Sequence, residues 1–73
     1  MQKTLRIFVR DAAPLNMLSN QLTVRGEGEV SFIVLKGEAE GEIEIELRER
    51  YRITPSIASA MRAVPGVVEV ELV

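Results

Sequence analysis

Apolar and polar residues alternate in several segments of this chain and recur at helical spacing in two others. Leu5, Ile7 and Val9 occupy every second position near the start, which predicts a first strand. Three more segments predict strands at residues 29–36, 42–50 and 67–73. The segment from Lys36 to Gly41 predicts the turn between the second and third strands.

The first helix is predicted to begin at Pro14, because proline suits a first helical turn, where its missing N–H would have no partner. It is expected to end before Gly26. Its apolar face carries leucines at helical spacing, namely Leu15, Leu18 and Leu22.

The second helix is predicted to have Thr54 as its cap and Pro55 at its first position. The dipeptide Pro65-Gly66 ends it. Its apolar stripe is formed by Ile57, Ala60, Met61 and Val64. In the strand that follows, inward-facing positions are predicted for Val68, Val70 and Leu72.

The resulting order, βαββαβ, predicts a ferredoxin-like α+β sandwich that forms one domain over residues 1–73. Right-handed crossovers then predict a four-stranded antiparallel sheet in the order 4-1-3-2, with both helices on one face. Charges on the other face agree, since opposite charges on neighbouring strands contribute about 0.2–1 kcal/mol each. Strand one is basic and its predicted neighbours are acidic: Arg6 and Arg10, against Glu44, Glu46, Glu69 and Glu71. The alternative is that Glu and Arg simply occupy exposed positions.

Composition narrows the possible functions. The chain has 73 residues, no cysteine and no histidine, so disulfides, thiol chemistry and the usual general base are excluded. No nucleophile–base pair, phosphate loop or metal motif occurs, so we expect no enzyme, no catalytic residues, no cofactor and no metal. A net charge of −2 argues against nucleic acid, and no stretch approaches about 20 apolar residues. We therefore expect a soluble cytoplasmic protein.

Five glutamates at alternate positions raise the question of a cation site: Glu38, Glu40, Glu42, Glu44 and Glu46. Alternation spreads them along a strand, whereas a hard cation needs oxygens that converge. A solvated acidic face is the favoured interpretation. An RNA-recognition motif shares the βαββαβ order, but this third strand has no aromatic residue on which a base could stack.

The second strand is apolar on both faces. In the order 4-1-3-2 it would be an edge strand, and an apolar edge is an aggregation liability unless a partner covers it. The sequence thus predicts a homodimer interface along this strand, with Phe8 of strand one added. The predicted interface residues are Phe8, Phe32, Ile33 and Leu35. The alternative is local cover by the loop at residues 26–29.

With these elements in place, the chain resembles an ACT domain, a small regulatory module that senses amino acids. The resemblance lies in Asp11-Ala-Ala-Pro-Leu15 after the first strand, in Val30 at the start of the second, and in the ending from Met61 through Pro65-Gly66. Among such domains it is most similar to the short regulatory subunits of acetolactate synthase, for which Leu22-Thr-Val-Arg-Gly26 resembles the helix end.

That resemblance implies a non-catalytic, dimeric regulatory domain of amino-acid biosynthesis. It would bind a small amino acid, with branched-chain side chains favoured, and regulate a larger catalytic subunit. The implied ligand site joins the first turn of one protomer to the second strand of the other, with N–H groups of residues 15–17 receiving the carboxylate. Its residues are Asp11, Ala12, Ala13, Leu15, Asn16, Met17, Glu29, Val30 and Ser31. The alternative is a ligand-free assembly module, favoured where Pro14 and Glu29 depart from the family pattern.

Overall fold

The computed structural model describes residues 3–36 and 41–73. Six elements follow one another as β1 (Thr4–Val9), α1 (Leu15–Asn20), β2 (Arg25–Leu35), β3 (Glu42–Glu46), α2 (Pro55–Arg62) and β4 (Val67–Leu72). The predicted α+β class and the βαββαβ order are confirmed. The turn predicted between Lys36 and Gly41 lies mostly outside the described residues, as do Glu38 and Glu40.

The four strands form one mixed sheet in the order β3-β2-β1-β4. β1 runs parallel to β2, whereas β1–β4 and β2–β3 are antiparallel. The predicted order 4-1-3-2 and the fully antiparallel sheet were therefore wrong. The physical reason is that the crossover through α1 returns the chain to the position beside β1, so β2 occupies the centre of the sheet.

The charge pattern agrees with the observed order only in part. Arg6 lies opposite Glu71 across the β1–β4 pair, with 3.4 Å between Nη1 and Oε1. The prediction that places β4 beside β1 is thus confirmed. The expected contact with strand three was wrong, because Glu44 lies opposite Ile33 and Glu46 opposite Ser31, both on β2.

The bounds of β2 and β3 differ from those predicted, and both differences involve residues 50–52. β2 begins at Arg25 rather than at residue 29, while β3 ends at Glu46 rather than at residue 50. The chain at residues 50–52 instead pairs with the start of β2, through Gly26 N–H to Arg50 O (3.2 Å) and Arg52 N–H to Val24 O (2.8 Å). The same strand β2 therefore has two successive partners on one side.

One apolar core joins one face of the sheet to both helices. β1 contributes its alternate residues, and Leu18 of α1 and Met61 of α2 are fully buried against them. Thr54 caps α2 as predicted, its Oγ1 accepting the N–H of Ile57 at 3.2 Å. Val70 is buried as predicted, but Val68 and Leu72 are exposed. The register of β4 on β1 shifts so that Val67, not Val68, lies opposite Val9 and packs against the core, and Leu72 is the last residue of this edge strand.

Candidate functional site

The first turn is ordered by its own hydrogen bonds. The Asp11 carboxylate accepts the N–H of Ala13 at 2.9 Å, and the carbonyl of Ala12 accepts the N–H of Leu15 at 3.1 Å. Asn16 and Met17 are exposed, while Leu15 packs partly against the core. Of the three N–H groups predicted to receive a carboxylate, that of Leu15 is thus already bonded within the turn.

The second half of the predicted site lines a small cavity of about 170 Å³ on the sheet face opposite the helices. Ser31 is buried there, and Val30 joins the core through the other face. Glu29 forms an ion pair with Arg50, with 3.3 Å between Oε1 and Nη2. Arg48 and Glu46 complete the charged lining, so this cavity has two cations and two carboxylates.

The two halves of the predicted site lie at opposite ends of the sheet within one protomer. Glu29 is in register with Thr4 at the start of β1, and Val34 is in register with Val9 at its end. Five residues of strand separate these positions by about 17 Å. A ligand that contacts both halves would therefore need the second protomer, as the prediction supposed.

The predicted interface rested on β2 being an edge strand, and that premise was wrong, because β2 hydrogen-bonds to β1 on one side and β3 on the other. A second copy therefore cannot add a strand at β2. Phe32 belongs to the core, and Ile33 on the opposite face is 0% exposed within the protomer. Phe8 and Leu35, on that same face, are half-buried, and their contact with a partner remains a prediction.

A second concavity combines charged side chains with an apolar wall, and we call it the basic cleft. It has a volume of about 260 Å³ and lies where Lys3 enters β1, beside the start of β2. The other lining residues are Arg25, Gly26, Glu27, Gly28, Tyr51, Arg52 and Ile53.

Two glycines allow the wall of the basic cleft to form. A Cβ on Gly26 would lie 2.8 Å from Cα and N of Arg52, and a Cβ on Gly28 would lie 2.2 Å from Cδ1 of Ile53. Real Cβ atoms do not approach other atoms so closely. Glycine at these strand positions therefore permits residues 51–53 to pack directly on β2.

Tyr51 lines the basic cleft and is held in place by backbone pairing. It bridges to both Arg25 and Gly28 through the backbone, and the Arg25 guanidinium lies 5.7 Å from the centroid of its ring. Arg25 also pairs with Glu49. Within residues 3–36 and 41–73, Arg25 is paired in this way whereas Lys3 and Arg52 form no ion pair, and Glu27 supplies the carboxylate of the lining.

This cleft was not among the sites that the sequence predicted. The sequence feature that could have indicated the cleft is the spacing Gly26-x-Gly28 immediately before an apolar run, since glycine inside a strand marks a close backbone approach. The second half of the signal, Arg50-Tyr-Arg52, lies more than twenty residues away. Only the tertiary structure brings the two together.

Within residues 3–36 and 41–73, no group of three or more acidic, cysteine or histidine side chains has the geometry to hold a metal ion. No helix in this part of the chain is long and apolar enough to cross a membrane.

Comparison of the chain with protein-family models, with curated proteins and with solved structures finds no match.

Proposed function

We propose that this chain is a non-catalytic regulatory module that binds a small amino acid in the basic cleft and thereby regulates a partner enzyme. The observation that carries the proposal is the lining of the cleft. Lys3 and Arg52 are suited to a carboxylate, Glu27 to an ammonium group, and the Tyr51 ring with Ile53 to an aliphatic side chain. These are the chemical parts of one free amino acid.

The volume of the basic cleft supports a small ligand. Pockets for small molecules have volumes of about 300–1,000 Å³, and the basic cleft, at about 260 Å³, lies just below that range. The resemblance to ACT domains favours valine, leucine or isoleucine among the amino acids. The cleft is a different place from the first turn that the resemblance implied, so the proposal keeps the ligand class and moves the site.

A thermal-shift panel of the free amino acids tests the proposal. A ligand present at about 100 times its dissociation constant adds about 2.7 kcal/mol to the free energy of unfolding. For a domain of this size that raises the melting temperature by about 10 °C or more. A panel with no shift on well-folded protein would refute the amino-acid proposal.

Matched variants locate the site. Arg52→Gln removes a cation of the basic cleft and should abolish the shift, whereas Arg48→Gln removes a cation of the smaller cavity beside Glu29 and should leave it intact. Asn16→Ala examines the first turn in the same way. A shift that survives Arg52→Gln and disappears with Asn16→Ala would return the site to the first turn.

The second candidate is a module of the same fold that assembles with a partner and binds no small molecule. Its specific support is the first turn, where Pro14 lacks an N–H and Leu15 donates its own within the turn. It predicts no shift with any amino acid, together with co-purification with a large partner. Both candidates predict co-purification with a partner, so the thermal-shift panel of amino acids distinguishes the two.

A further inference from the structure

The two edges of the sheet differ in how they are protected. At the β4 edge, Thr4 and Val73 form a hydrogen-bonded pair, with distances of 3.0 and 2.9 Å. Because bonded and non-bonded pairs alternate along an antiparallel ladder, Val70 lies at a non-bonded position, and its backbone N–H and C=O face outward. The Arg62 guanidinium donates to that Val70 carbonyl at 3.4 Å. The register also shifts between Phe8 and Val9. A covering cation and an irregular register are two means by which proteins block an edge.

The β3 edge has neither protection in the described residues. Leu47 donates its N–H to Val30 O, and Lys36 donates to Gly41 O, each at 3.0 Å. These bonds fix the antiparallel ladder so that Ile43 and Ile45 bond to β2. The backbone N–H and C=O groups of Glu42, Glu44 and Glu46 consequently point away from the sheet. The register of β3 on β2 is regular throughout.

The side chains of β3 are apolar on one face of the sheet and acidic on the other. Ile43 and Ile45 point to the face that carries the helices, yet they are 44% and 38% exposed because no helix covers them. The three glutamates point to the opposite face, and all are exposed. An added strand would thus meet an apolar row on one face and an acidic row on the other.

A second copy of this chain does not fit the edge. Antiparallel pairing of two β3 strands about Glu44 would place Glu44 opposite its copy and Glu42 opposite Glu46, and like charges directly opposite are destabilising. Antiparallel pairing with a β4 edge would place its outward residues, Val70 and Leu72, opposite the β3 glutamates, and would place Glu69 and Glu71 opposite Ile43 and Ile45, so neither face would match. Charge complementarity therefore selects a basic strand from another protein.

We propose that β3 is a docking edge for an extended segment of a partner protein in which lysine or arginine alternates with aliphatic residues. The segment adds as a fifth strand. Its backbone bonds to Glu42, Glu44 and Glu46, its cations lie opposite these carboxylates, and its aliphatic side chains cover Ile43 and Ile45. Main-chain pairing provides affinity in this mode of recognition, and the alternating side chains provide specificity.

The test uses the full chain and a fluorescent synthetic peptide that alternates lysine with valine, followed by fluorescence anisotropy. We expect saturable binding that weakens with salt, and slower hydrogen exchange at the amides of Glu42, Glu44 and Glu46. A peptide of the same composition with its lysines and valines in separate blocks should bind at least about tenfold more weakly, since it cannot match both faces. Equal binding of the two peptides would overturn the proposal.

Substitutions at Glu44 separate strand addition from general attraction to acidic residues. Glu44→Pro removes an outward N–H together with the carboxylate and leaves the bonds to β2, whereas Glu44→Gln removes the carboxylate and keeps the N–H. Glu44→Pro should therefore keep the fold and bind the peptide about tenfold or more weakly than Glu44→Gln does. Glu44→Lys reverses one of the three charges, so it should weaken binding of the lysine–valine peptide by about tenfold or more and reduce the preference over a peptide that alternates glutamate with valine. Glu69→Lys, the same charge change on β4, should bind as the parent chain does. A folded Glu44→Lys variant with parental affinity and preference would refute the docking edge.

Discussion

The Gly28 backbone and the Ile53 side chain are packed so closely that a methyl group on Gly28 would lie 2.2 Å from Ile53 Cδ1. The carbonyl oxygen of Tyr51 would lie 2.8 Å from the same methyl group. This contact packs the start of β2 against the segment that precedes α2, and both residues line the basic cleft.

Gly28→Ala should therefore reduce the free energy of unfolding by about 1–3 kcal/mol, the usual range for overpacking. Urea denaturation followed by circular dichroism measures it. Ile53→Val removes Cδ1, the nearest atom, so Gly28→Ala should be less destabilising in that background, with a coupling of at least about 0.5 kcal/mol. Purely additive effects of the two changes would show that the contact does not explain the glycine.

Ile33→Glu should unfold the chain instead of dissociating a dimer. Ile33 is 0% exposed on the open face of the sheet, between Phe8 of β1 and Glu44 of β3 in the register. A buried charge without a partner, next to another carboxylate, should cost about 3 kcal/mol or more.

The matched control is Ile43→Glu. The same substitution on β3 falls on a side chain that is 44% exposed, so we expect a loss of about 1 kcal/mol or less. Thermal denaturation and light scattering of both variants distinguish unfolding from dissociation. A folded, monomeric Ile33→Glu variant derived from a dimeric parent would support the interface that the sequence predicted.

Thr54→Ala should reduce the free energy of unfolding by about 1 kcal/mol, because the N–H of Ile57 loses the hydroxyl that accepts it at 3.2 Å. Thr54→Ser keeps an oxygen at that position and should restore most of the stability. Thr23→Ala, at an exposed position outside the helices and strands, serves as the control. Equal losses at Thr54 and Thr23 would argue against a capping role.

The Arg6–Glu71 pair provides a test of the strand order. Both side chains are more than one-third exposed, so a double-mutant cycle with Arg6→Gln and Glu71→Gln should give a coupling of only about 0.2–1 kcal/mol, falling at high salt. The same cycle between Arg6 and Glu44 should give no coupling, because β2 lies between their strands. The order 4-1-3-2 requires the opposite result for Glu44.

Local pattern was sufficient for the type and order of the elements of this chain, though not for the bounds of β2 and β3, and the reason is visible at Thr54 and Gly66. A capping hydroxyl acts on an N–H three residues away, and Gly66 takes a φ of +95°, a left-handed conformation that favours glycine at the end of a helix. Such effects are contained within a few residues. The order βαββαβ, the cap and the stop before β4 could for this reason be predicted.

Strand order could not be deduced from the same information, although two signals for it were present. A strand that is apolar on both faces, as at Ile33 and Phe32, is typical of the centre of a sheet, and the alternation around Glu44 is typical of an edge. These signals were outweighed by the commonest topology for βαββαβ, which places strand two at the edge. With that order, the doubly apolar strand was interpreted as an interface.

The sequence by itself determined the helices, the strands, their order along the chain and the absence of thiol and imidazole chemistry, since each depends on nearby residues or on composition alone. Only the tertiary structure decided which strands are neighbours, and with them the burial of Ile33, the basic cleft around Tyr51 and the open edge at Glu44. Those features arise from pairing between residues far apart in the chain, and the free energy of that pairing depends on the whole packed sheet.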